Sequence, residues 1–209
     1  MRGLLIWICA LLPALGQAEE AGTFDYWVLS LSWSPSWCAQ TGDAQGANQC
    51  DARHDHGWTL HGLWPQYARG YPSFCQTAHP PPSRRQTAAM ADVMGSAGLA
   101  WHQWRKHGSC SGFSAEDYFA LSRRAYAQVV RPEAFRRLTG EVTLPASVVE
   151  EAFLVANPGW TAEMLTITCK DGRISEARLC LDRALAPVPC GPDIRRDCTL
   201  PGARLPPIR

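Results

Sequence analysis

The 209-residue chain carries 20 basic and 19 acidic residues, for a formal net charge of +1. This balance excludes a protein that grips nucleic acid through a broadly basic surface, so any polyanion has to be held at a local positive site. The length suits one domain with a substantial core or two small ones, and 46% hydrophobic residues with nine tryptophans exclude a disordered chain.

The first eighteen residues, MRGLLIWICALLPALGQA, read as a secretory signal. Arg2 supplies the charged start and Leu4 to Leu15 is apolar. Gly16 and Ala18 are the small residues at −3 and −1 of a cut after Ala18. The run is too short to span a bilayer, and no later stretch is long and apolar enough. We therefore expect an exported protein, periplasmic or secreted, with no membrane contact once mature. Residues 19–209 form its single domain. Removing the leader also removes Arg2 and Cys9, leaving 19 basic residues against 19 acidic ones and eight cysteines. An even cysteine count in an exported chain predicts four disulfides. No C-x-x-C pair occurs, which argues against structural zinc. Spacing alone does not choose among the possible pairings.

FDYWVLSLSW (24–33) is aromatic and β-branched, and predicts a buried strand. A polar loop with Cys38 and Cys50 follows, then the short strand-like WTLHGLW (58–64). Pro65, Gly70, Pro72 and HPPPS mark irregular surface chain. Residues 84–107 read as a helix with Gly108 as its stop. Ser114 and Asp117 form a helix start for DYFALSRRAYAQVV. Pro132 opens a short helix ending near Gly140, and 146–159 is another. Residues 164–182 predict two strands around an Asp-Gly turn. A Pro-rich tail holds Cys190 and Cys198. The expected fold is α+β, an antiparallel sheet core flanked by helices.

Two segments concentrate the histidines: HGWTLHGLWP (56–65) and WHQWRKHGSC (101–110). On a helix, His102 and Lys106 share one face and Gln103 and His107 a second, about 100° away. Lys106 and His107 can thus border one pocket, with His102 close by. Cys110 can pin that end through a disulfide. Lys106 is one of only two lysines against eighteen arginines. Two histidines can act as base and acid within one turnover, and an ammonium can stabilise charge growing on a phosphoryl oxygen. That equipment suits in-line phosphoryl transfer on RNA, which brings its own 2′-hydroxyl nucleophile. Other readings stand beside this one. His79 sits in a Pro-rich surface loop. His54 and His56 form an H-x-H pair able to bind metal. Trp58, Trp101 and Trp104 fit core positions more readily than stacking ones.

WTLHGLWP resembles the first active-site segment of the ribonuclease T2 family, and WHQWRKHGSC its second, in matching order and spacing. FDYWVLSLSWSPSWC resembles the family's first strand and SEARLCLDRALAPVPC its C-terminal cysteine-bearing strand. The resemblance implies that His61 is a general acid toward the departing 5′-oxygen and His107 a general base on the 2′-hydroxyl. It implies that His102 contacts phosphate, that Lys106 stabilises the phosphorane-like state, and that Trp64 stacks a base, with Tyr67 and Tyr71 nearby. A compact ammonium at 106 is not duplicated by an arginine fork. One position departs from the pattern: Gln103 stands where the family has glutamate, and its amide can donate a hydrogen bond but no carboxyl proton. The implied pairing is Cys38–Cys50, Cys75–Cys110, Cys169–Cys198 and Cys180–Cys190.

The chain reads as a monomeric, metal-independent endoribonuclease that needs no cofactor. It is expected to cleave single-stranded RNA, not DNA, through a 2′,3′-cyclic phosphate to 3′-phosphates, and the near-neutral mature charge points to broad base tolerance. The alternatives are a metal-dependent hydrolase using His54, His56 and His61, and a non-catalytic disulfide-bonded binding module.

Overall fold

The computed structural model describes residues 20–209. The proposed leader, residues 1–18, lies outside them. Six strands form one sheet: β1 (Tyr26–Trp33), β2 (Trp58–Gln66), β3 (Val142–Leu144), β4 (Leu165–Lys170), β5 (Arg173–Leu181) and β6 (Ala203–Leu205). They run in the order β2-β1-β5-β6-β3, with β4 also paired to β5. The helices are α1 (Ser34–Trp37), α2 (Arg84–Ala88), α3 (Ala91–Met94), α4 (Ala97–Lys106), α5 (Ala115–Gln128) and α6 (Ala146–Ala156). The fold is α+β. The sheet is mixed rather than purely antiparallel, because β6 meets β5 in parallel at Arg173 and Arg204.

Side-chain alternation gives the sheet two faces. Trp27, Leu29, Leu31 and Trp33 of β1 and Ala177, Leu179 and Leu181 of β5 enter the main core, which also holds Trp104 of α4, Phe119 of α5 and Phe153 of α6. The other face carries Ser30 and Ser32 of β1 opposite Arg178 and Glu176 of β5. Burying each large apolar side chain stabilises by about 1.5–3 kcal/mol. The apolar face therefore sets the register, and the polar face is the one free to carry chemistry.

β2 breaks its own alternation. Ser30 pairs with Gly62 and Leu31 with Leu60, so His61 is an extra residue with no partner on β1. Leu60 and Leu63 are both fully buried in the main core although three apart, which a regular strand forbids. The bulge reconciles them and turns His61 and Gly62 together to the polar face.

The Asp-Gly turn between β4 and β5 is present, with φ of +49° at Asp171 and +73° at Gly172, as a tight hairpin requires. Ser114 caps α5, accepting from Asp117 N at 3.2 Å, while its hydroxyl donates to Asp117 Oδ2 at 2.7 Å. The single helix expected over 84–107 is instead three. Gly95 ends α3 in the left-handed region at φ +81°, and Ser96 caps α4 through Leu99 N at 3.1 Å. The helix expected after Pro132 is a short 3-10 helix, Glu133–Arg137. β3 and β6 are short strands that the sequence reading did not anticipate; each satisfies the other.

The disulfides join Cys38 to Cys50, Cys75 to Cys110, Cys169 to Cys198 and Cys180 to Cys190. No helix among the described residues is long and apolar enough to cross a membrane.

Candidate active site

The site forms where the β2 bulge meets the C-terminal end of α4. Helical geometry ends at Lys106, and His107 is the cap residue, with φ −120° and ψ −47°. Two links hold that end. Phe74 N donates to Lys106 O at 2.9 Å, and Cys75 is bonded to Cys110 one turn further on. Gly108 serves packing rather than a left-handed stop. A Cβ there would lie 2.6 Å from the Trp104 ring and 2.9 Å from that of Tyr118.

His61, Trp64, His102, Gln103, Lys106 and His107 line one cavity of about 600 Å³, together with Tyr71. Trp64 touches a histidine of each segment. Its ring is 5.2 Å from His61 edge-on and 5.2 Å from His107 in a stack. Lys106 Nζ lies 5.5 Å from the centre of the Tyr71 ring. Trp64 Nε1 donates to Gln103 Oε1 at 2.7 Å. Gly62 is required here, because a Cβ would run into Gln103 Oε1 and Trp64 Nε1.

Some expected residues fall elsewhere. Tyr67 packs against the main core and is not among the residues lining this cavity. Trp101, expected in the core, is exposed on α4, whereas Trp58 and Trp104 are buried. His79 is exposed. His54 and His56 stack on each other at 5.3 Å, and His54 Nε2 meets Asn48 Nδ2 at 3.1 Å. They do not gather with His61 into a ligand set. Among the described residues, the His, Cys, Asp and Glu side chains close enough for one ion are Cys38, Asp43 and Cys50, whose sulfurs are spent in a disulfide.

Two residues from β5 complete the site and were missed in the sequence. Glu176 Oε1 is hydrogen-bonded to His61 Nδ1. Its second oxygen accepts from Arg178 Nε at 2.9 Å and Nη2 at 2.7 Å. Arg178 in turn lies over the Trp64 ring at 5.4 Å. The alternation of RISEARLCL was the available signal: Glu176 and Arg178 share one face of the strand, opposite the apolar Ala177, Leu179 and Leu181.

Burial alone would push Glu176 upward. The hydrogen bond and charge of His61, joined by Arg178, outweigh it and hold the carboxyl at about 2. His107 is held at about 3, first by burial and then by the positive charges of Lys106, His61 and His102. His102 is lowered by burial, Lys106, His61 and Arg105. His107 is therefore a neutral imidazole able to take a proton. His61 is a ring whose Nδ1 hydrogen is held by a carboxylate.

The Ribonuclease T2 family model matches residues 24–190. The chain belongs to this family. A ribonuclease of Aeromonas hydrophila is 41% identical over 124 residues, covering 58% of this chain and 54% of that protein. A probable ribonuclease of Haemophilus influenzae is 32% identical over 130 residues, covering 56% and 47%. The chain thus spans about half the length of these curated relatives. Among solved structures, trichomaglin, described as a novel S-like ribonuclease, superposes with a TM-score of 0.70 at 20% identity, over 90% of this chain and all of that one. RNase NT in complex with 5′-AMP gives 0.57 at 20%, over 88% and 99%. At that identity the likeness is one of fold, and the T2 fold is what the sheet and helices form.

Proposed function

We propose that the protein is an endoribonuclease that cleaves single-stranded RNA by transesterification, without a metal ion. The observation that carries this reading is the convergence of His61, His107 and Lys106 on one cavity, with Trp64 in ring contact with both histidines. Neutral His107 takes the 2′-hydroxyl proton as the 2′-oxygen attacks phosphorus. His61 gives a proton to the 5′-oxygen as its bond to phosphorus breaks. Lys106 and His102 meet the charge that builds on the phosphoryl oxygens. The Gln103 carbonyl accepts from Trp64, so its amide N–H groups are the part left for a phosphate oxygen. The 2′,3′-cyclic phosphate is then opened by water to a 3′-phosphate. DNA lacks the attacking hydroxyl and is inert.

Trp64 and Tyr71 offer aromatic faces for a base in the cavity that His61 lines. A second cavity of about 580 Å³, lined by Trp37, Asn48, Gln49 and Leu99 among others, also has His61 in its lining. A dinucleotide seated across both would hold its phosphodiester at His61. Apart from Asp193, both cavities are lined by neutral or basic residues, which suits a polyanionic strand, and the overall charge balance favours broad base tolerance. The apolar leader supports export.

The test is digestion of homopolymer RNAs with product analysis, comparing wild type with His107→Ala. We expect cyclic phosphates then 3′-phosphates, unchanged by EDTA, and a loss of roughly 10²–10⁴ in the variant. Cleavage abolished by EDTA would refute the mechanism. The absence of any RNA cleavage would favour the binding-module alternative.

A further inference from the structure

Glu176 is a carboxylate only 7% exposed, and burying such a group is costly unless both oxygens are paired. They are paired with different partners. The Arg178 fork takes Oε2, and Oε1 is left to the His61 ring. An Arg–carboxylate pair frequently uses both oxygens, whereas here the guanidinium takes one and leaves the other to the histidine. None of the α4 residues that line the cavity, His102, Gln103 and Lys106, offers a carboxylate, and Gln103 is bonded to Trp64. The carboxylate hydrogen-bonded to a cavity histidine comes instead from β5, 115 residues beyond His61.

We propose that Glu176, braced by Arg178, is the positioning residue for His61, fixing which nitrogen faces the substrate. An ionised carboxylate only accepts, so Nδ1 carries a hydrogen and Nε2 is the nitrogen that exchanges a proton with substrate. The inference rests on the ribonuclease reading above. In the first step the 2′-oxygen bonds to phosphorus, the bond to the 5′-oxygen breaks, His107 gains the 2′-hydroxyl proton and His61 Nε2 delivers its proton to the leaving oxygen. Glu176 stays ionised and keeps the Nδ1 hydrogen throughout. Hydrolysis of the cyclic phosphate runs the transfer in reverse: His61 Nε2 takes the proton of the attacking water, and His107 returns its proton to the 2′-oxygen.

The experiment compares Glu176→Gln and Glu176→Ala with wild type and His61→Ala on two substrates. One is the dinucleotide uridylyl-adenosine, whose alkoxide leaving group needs protonation. The other is uridine 3′-(4-nitrophenyl phosphate), whose leaving group needs little. We expect both Glu176 variants to lose at least about tenfold in kcat on the dinucleotide with KM nearly unchanged. On the aryl ester they should match wild type, and His61→Ala should show the same selective pattern. Equal losses on both substrates would mean a structural role only, and wild-type rates on both would mean no role; either overturns the proposal. A wild type inert on the dinucleotide while His61→Ala changes nothing would instead overturn the ribonuclease reading itself.

Discussion

Trp64 and Gln103 are joined by a hydrogen bond of 2.7 Å from the indole Nε1 to the amide oxygen. The bond orients both residues, because an indole can only donate and so the amide oxygen must face it. It also ties β2 to α4 across the cavity. Gln103→Ala leaves that indole N–H without its partner. We expect a loss of about 1–3 kcal/mol in stability, read by urea unfolding, together with a weaker KM for RNA. Gln103→Glu keeps the acceptor, and we expect kcat/KM within about a hundredfold of wild type. A rise beyond about a thousandfold would show that the natural glutamine cripples the enzyme.

Lys106 sits over the Tyr71 ring beside two histidines, where a compact ammonium fits. Lys106→Ala should lower kcat by about 10²–10³ with a smaller change in KM, as for a charge that acts on the transition state. Lys106→Arg should recover little of this, since the planar fork does not reproduce the point charge. Full activity in the arginine variant would remove the special role of lysine.

His107 is held at about 3 against an ordinary value near 6.5. In the free enzyme it stays neutral down to that range, so the acid limb of kcat/KM should not show a His107 step between pH 4 and 6.5. The sign for stability is the reverse of a salt-bridged histidine. The unfolded chain protonates first, so the stability that neutral His107 contributes is whole above about 6.5 and is lost as pH falls toward 3. Glu176 adds a second loss, from its ordinary 4.5 down to about 2. Thermal melts from pH 7 to 3 should show the decline begin below 6.5. In His107→Gln that first part should flatten. An unchanged slope would show that the ring is not held neutral.

The Cys75–Cys110 bond and the Phe74–Lys106 backbone link anchor the end of α4 that carries Lys106 and His107. Replacing both cysteines with alanine should cost about 2–4 kcal/mol in stability. Well below the melting point it should also lower kcat, because the helix end that carries the proposed base and lysine is released. The paired alanine variant of Cys38 and Cys50, a bond in the loop after α1, should lose stability with less effect on kcat. Equal kinetic effects would show that the anchoring is not specific to the site.

Much of this protein is written in short-range pattern. The strand at 24–33, the Asp-Gly hairpin, the Ser114 cap and the spacing of His102, Lys106 and His107 follow from local preference and from periods of 2 and 3.6. A reader of sequence sees these directly, and the two histidine segments with them. What only the tertiary structure decided involves distant parts of the chain. Glu176 reaches His61 because β5 and β2 flank β1 in one sheet, not because of any spacing between them. The β2 bulge at His61 arises because Leu60 and Leu63 both enter the core, a demand invisible in WTLHGLW alone. β3 and β6, each three residues long, have no pattern strong enough to read and exist by pairing with each other. Cysteine count implies bonds, but partners are chosen by which backbones the fold brings together. Local physics sets the parts, and burial of one shared apolar face sets which of them meet.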